Sequence, residues 1–139
     1  MRVDDLKTYL AANIAPHIAS RTTAELPLVT PTATMIEAHE FNELTGSLML
    51  ALDEGTEESE WLTTTTRDTR QTVDVLIFVQ GGTKEGDRAR LPLYADAVIA
   101  CLKNSPDYNG VKAREFYDGV EAKDDIKAAK VTFEFRWEE

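Results

Sequence analysis

The chain is poor in the residues that most metal and redox chemistry needs. Its 139 residues include one cysteine and two histidines. A single cysteine, Cys101, excludes an internal disulfide and any multi-cysteine metal site. It also predicts synthesis in a reducing cytoplasm. Long apolar runs are missing too. Runs such as Val75 to Val79 are far too short to span a bilayer, so no membrane partner is expected. The opening "MRVDDLKTYL" carries acids where an export signal needs an apolar core, which predicts no export. Positive charge is scarce and scattered: 15 Lys and Arg face 25 Asp and Glu, for a formal net charge of −10. The two densest basic stretches, "RDTR" (Arg67, Arg70) and "KEGDRAR" (Lys84, Arg88, Arg90), each contain an aspartate. A surface of this sign repels phosphate backbones at long range. Specific nucleic-acid binding is therefore excluded as the main task, whereas DNA passing close by without adhering is compatible.

What is present accounts for one α+β domain over residues 1–139. Length fits a single domain, and no repeat or linker interrupts it. Val3, Leu6, Leu10 and Ile14 recur at helical spacing, predicting an amphipathic helix that ends near Pro16. Residues Thr22 to Phe41 are threonine-rich and broken by Pro27 and Pro31, which fits an edge strand. "GSLMLALDEG" reads as a strand and "EGTEESE" as an acidic loop after it. The stretch "EWLTTTTRDTRQTVDVLIFVQ" is rich in β-formers and longer than an ordinary strand, so part of it is expected to project as an arm. A second helix is expected within Asp87 to Asn104, starting at Leu91 with Pro92 in its first turn or at Asp87 as N-cap. Leu91, Ala95, Val98 and Leu102 form its stripe, and "NSPDYNG" stops it. Two strands follow, "VKAREFYDGVEA" and "IKAAKVTFEFRW", with "KDD" as the turn between them. In the last, Val131, Phe133, Phe135 and Trp137 alternate with Lys130, Thr132, Glu134 and Arg136. The predicted order is α-β-β-β-α-β-β: a mainly antiparallel mixed sheet against two helices, with a long projecting β arm.

Motifs for chemistry fail one after another. "QGGTKEG" joins strand to helix as phosphate-binding loops do, and Gly81 and Gly86 have P-loop spacing. Asp87 and Arg88 then stand where lysine and a hydroxyl residue belong, and Gly81, Gly82 and Gly86 miss the dinucleotide fingerprint. The glycines are expected only to turn the chain. "HEFNE" (His39, Glu43) is half of a zinc motif without its second histidine, and His17 is the only other one. Cys101 lies close to the apolar stripe of the second helix and reads as a small hydrophobe. Glu54, Glu57, Glu58 and Glu60 lack the calcium-loop pattern and read as a solvated face. No catalytic, metal or cofactor residues emerge. Trp61 has two readings, a core residue or an interface anchor. Interfaces favour Trp and Arg, so Trp61, Thr63, Thr64, Thr65, Thr66, Arg67 and Arg70 form the candidate subunit contact.

The layout as a whole resembles a family. An amphipathic N-terminal helix, a threonine-rich arm, the strand "DVLIFVQGG" leading into the helix "LYADAVIACL", and the terminal "KVTFEFRW" are similar to the tail terminator (tail completion) proteins of long-tailed bacteriophages. The likeness covers most of the chain and contains no catalytic signature. It implies a structural virion protein, made in the host cytoplasm and located at the head-proximal end of the tail. It further implies a ring of identical subunits, typically a hexamer, that caps the tail tube, stops its polymerisation and meets the head-tail connector. DNA then passes through the channel, where a negative lining weakens phosphate contacts. Other readings of the same sequence are a neighbouring head-tail completion or tube protein of similar fold, and a small α+β module whose acidic face holds a metal or cationic ligand.

Overall fold

The strand with the cleanest alternation lies inside the sheet. In the computed structural model, which describes residues 2–36, 47–119 and 125–139, β4 (Lys127–Glu138) is flanked on both sides. One neighbour is β2 (Arg67–Val79), and the other is β3 (Tyr108–Tyr117). β1 (Leu48–Trp61) pairs with the far side of β2, giving the order β1-β2-β4-β3. All three pairings are antiparallel. Among the described residues the only parallel element is an isolated bridge between Ile36 and Leu50, so there the expected mixed character reduces to that contact.

Period-2 alternation divides the sheet into two faces. Val73, Val75 and Ile77 on β2 stand beside Phe133, Val131 and Ala129 on β4, and Leu52 and Leu50 on β1 continue the rows. All eight are buried in one cluster with α1 (Arg2–Asn13), α2 (Ala15–Ala19) and α3 (Lys84–Leu102). The predicted stripe of Val3, Leu6, Leu10 and Ile14 is the buried side of α1 and its junction with α2. One predicted helix becomes two because Pro16 lacks the N–H that would continue the ladder. It sits instead in the first turn of α2, where no partner is needed.

Three local expectations are corrected. Among the described residues, 22–35 contain no strand. The backbone there bonds to side chains rather than to a ladder: Leu26 N–H donates to Thr23 Oγ1, Leu28 N–H to Thr22 Oγ1, and Val29 N–H to Tyr94 Oη. Threonine hydroxyls that compete in this way, with two prolines, remove the strand's advantage. The acidic segment after Leu52 is strand, not loop: Glu57, Glu58 and Glu60 lie opposite Gln71, Arg70 and Asp68. A bulge between Glu54 and Glu57 separates this outer half from the inner one. There a Cβ on Gly55 would lie 2.2 Å from Thr72 Oγ1, which accepts the Thr56 N–H. Finally, α3 starts at Lys84, ahead of both expected positions. Thr83 is the N-cap, its hydroxyl accepting the Gly86 N–H at 3.0 Å, and Pro92 lies inside the helix. Val120 to Asp124, including the first part of "KDD", lie outside the described residues, as do His39, Phe41 and Glu43.

Candidate functional site

The glycine loop turns the chain. Gly81 adopts φ 91°, a conformation that favours glycine. Asp87 folds back across the loop, accepting the Gly82 N–H at 3.2 Å and pairing with Arg90 at 3.3 Å. Arg90 Nε in turn donates to the Pro27 carbonyl. These residues and Tyr94 line a recess of about 240 Å³. A buried carboxylate occupies the helix N-terminus that a phosphate would need. Cys101 is buried, and burial pushes its thiol up to about 11, away from nucleophilic character. Among the described residues no group of His, Cys, Asp and Glu is arranged to hold a metal. Nor is any of their helices long and apolar enough to cross a membrane.

The distal end of the sheet is different. Beyond Leu52 every β1 residue from Asp53 to Trp61 is exposed. β3 reaches only as far as the Tyr108–Phe135 pair, so past Phe135 the arm consists of β1, β2 and β4 alone. Its tip is the turn Leu62–Thr66, closed by Leu62 N–H to the Thr66 carbonyl at 2.9 Å. Thr63 Oγ1 accepts the N–H groups of Thr65 and Thr66. A run of threonines is thus spent on stiffening a turn, with Thr63, Thr64 and Thr65 exposed and Thr66 half-buried.

Trp61 is 65% exposed and Leu62 51%, which rejects the core reading of the tryptophan. Trp61 faces Arg67 across the hairpin, the guanidinium 5.6 Å from the ring centroid. Arg67 bonds the Glu139 carboxylate, which also accepts the Trp137 indole N–H at 3.0 Å. Those hydrogen bonds, Trp137's first and Arg67's second, hold the Glu139 carboxyl below its usual range. The result is a Trp61–Arg67–Glu139–Trp137 row on one face.

Arg70 does not join it. Three residues from Arg67, it emerges on the opposite face, 3.9 Å from Asp68. Asp68 is buried and also takes Arg136 Nε at 2.9 Å, a pairing that raises the Arg136 pKa. Of the predicted contact residues, then, Trp61, Thr63 to Thr66 and Arg67 gather at the tip, while Arg70 belongs to a charged stripe behind it. Sequence reasoning missed Leu62, Trp137 and Glu139. Leu62 was signalled by its place beside Trp61, and Trp137 by the β4 alternation. No protein-family model matches the chain, and no curated protein matches it either.

Proposed function

We propose that this chain is a phage tail terminator: a subunit of a closed ring that caps the tail tube, ends its growth and presents a surface to the head-tail connector. One observation carries the reading. A three-stranded arm ends in Trp61 and Leu62, the two most exposed large apolar side chains among the described residues, ahead of Phe116, Tyr117 and Val29. Aromatic residues of this kind, beside an arginine, are what subunit contacts use as anchors. When the arm tip docks on a different surface of one neighbour and is not returned by that same neighbour, the contact is head-to-tail, and head-to-tail contacts close into rings when the rotation permits.

The charge fits the same role. On the sheet face opposite the helices, Asp53 stands opposite Asp74, Glu60 opposite Asp68, and Glu58 opposite Arg70 with Arg136 beside it, so acids outnumber bases there. Turned toward a channel, that face would let a DNA phosphate backbone slide past without a foothold. The test combines molar mass across a wide concentration range, negative-stain imaging, and addition of the protein to polymerising tube subunits. Rings of uniform size, and tubes that stop growing when the protein is added, are the expected results. A monomer at every concentration that leaves tube growth unchanged would refute the proposal.

A further inference from the structure

The sheet has two edges, and they differ in charge. β1 forms one edge and carries Asp53, Glu54, Glu57, Glu58 and Glu60, all exposed. β3 forms the other, with Lys112, Arg114 and Glu115 exposed beside Phe116 (48%) and Tyr117 (42%), two bases to one acid where β1 carries five acids. Each of the two bases already has an acid within the chain. Lys112 lies 3.3 Å from Glu134 and Arg114 3.0 Å from Asp96, so a further acid would extend an existing pair into a network.

Both edges also present unused backbone groups, as the hydrogen-bond pattern shows. Leu62 N–H donates to the Thr66 carbonyl, and Arg67 exchanges both its backbone bonds with Glu139. Antiparallel ladders alternate, so Glu57, Ser59 and Trp61 direct their N–H and C=O groups away from β2. The Arg136 N–H bond to the Asp107 carbonyl fixes the phase on the other side. By the same alternation Arg114 and Phe116 point their backbone groups away from β4. Among the described residues nothing takes these groups up.

We infer that the outer half of the β1 edge of one copy pairs with the β3 edge of a second copy, continuing the sheet from subunit to subunit. Charge selects this arrangement. β1 against β1 sets glutamates against glutamates, and like charges placed opposite one another destabilise a sheet. β3 against β3 has only Glu115 to offset Lys112 and Arg114, whereas the head-to-tail pairing brings the five acids of β1 to a strand that is net basic. Strand direction agrees: four strands alternate up and down, so β3 runs opposite to β1, and a rotated neighbour presents its β1 antiparallel to β3. Alternation then continues around a ring without interruption, and closure leaves no open edge. This inference deepens the ring reading above and rests on it.

The experiment is a charge exchange in full-length chains. One variant carries Lys112→Glu and Arg114→Glu, the other Glu57→Lys and Glu60→Lys, with circular dichroism to confirm folding. Where a reversal unfolds the chain, Arg114→Gln with Lys112→Gln and Glu57→Gln with Glu60→Gln replace it. Each charge-reversed variant alone should shift the assembly midpoint at least tenfold upward in concentration. An equimolar mixture should restore rings, because alternating the two chains makes every seam complementary again. Either folded variant assembling as the unaltered chain does, or a mixture of folded charge-reversed variants that stays apart, overturns the seam. An unaltered chain that never assembles overturns it together with the ring. Trp61→Ala separates the two ideas: if it assembles normally while the charge exchange behaves as expected, the seam stands and the anchoring role of the tip falls.

Discussion

Replacing Trp61 by alanine should separate assembly from folding, and the structure sets the scale of both effects. With 65% of the residue exposed, about a third is covered. An aromatic side chain can bury about 150–250 Å², so the covered part is about 50–90 Å². At about 25 cal/mol/Å² this is worth about 1–2 kcal/mol, an upper value because real unfolded chains already cover some of it. The contact with Arg67 adds about 0.5–1 kcal/mol at an exposed site. Together they set an upper loss of about 1.5–3 kcal/mol in urea unfolding of the monomer. A buried anchor at a subunit contact costs about 2–4 kcal/mol when truncated, which is about 30-fold to 1,000-fold in each contact's association constant. Sedimentation velocity over a concentration series reads the second quantity, and urea unfolding of dilute protein reads the first. An assembly midpoint that does not move, or a stability loss above about 3 kcal/mol with assembly intact, would show that Trp61 acts within its own subunit.

Four further outcomes are expected. Phe133→Ala, at a fully buried β4 position, should cost about 3–5 kcal/mol in urea unfolding; a loss under 1 kcal/mol would place the core elsewhere. Gly81→Ala should cost about 1 kcal/mol or more, because alanine is strained at φ 91° while nothing lies near the added methyl; an unchanged melting curve would refute the turn's role. Asp87→Asn should not create nucleotide affinity, since it leaves the loop without the lysine and hydroxyl of a phosphate cradle; saturable ATP binding by calorimetry would revive the discarded reading. Burial raises the Cys101 thiol from 9.0 to about 11. The unfolded thiol ionises first, so its contribution is fully present below pH 9 and is lost as pH climbs toward 11. Relative to Cys101→Ala, stability should therefore fall across that window, and parallel pH profiles would contradict it.

The parts of the fold visible in the sequence were those where one physical signal dominates. The β4 alternation and the α1 stripe are packing signals, and packing decided them. The acidic half of β1 looked like a loop because charge usually marks solvated turns. Here it is a solvated edge strand, which only its pairing with Arg67–Val73 reveals. Residues 22–36 misled in the opposite direction. Their threonines have strand propensity, yet their hydroxyls satisfy neighbouring backbone groups, and Tyr94 (65 positions from Val29) completes the set. Pro92 drew the expected start of α3 toward itself, while the actual cap, Thr83, was hidden among glycines. At the tip, exposure of Trp61 and its meeting with Arg67 depended on turn length, which propensity does not report. The separation of Arg67 from Arg70, by contrast, follows from odd spacing along a strand and was legible from the start.

The bulge at Gly55 makes the arm a lever with a single-residue fulcrum. Inside it, β1 is locked by Leu48, Leu50 and Leu52 in the core; outside it, the strand answers only to β2 and to solvent. Bulges bend a strand and sharpen its twist, so the direction in which Trp61 points is set there, about six residues away. Removing that extra residue would straighten the strand and relax its twist while leaving Glu57, Ser59 and Trp61 opposite Gln71, Thr69 and Arg67 and every core side chain in place. The angle between successive subunits, and hence the bore of any ring they close, could thus be retuned at one glycine while the body of the domain stays as it is.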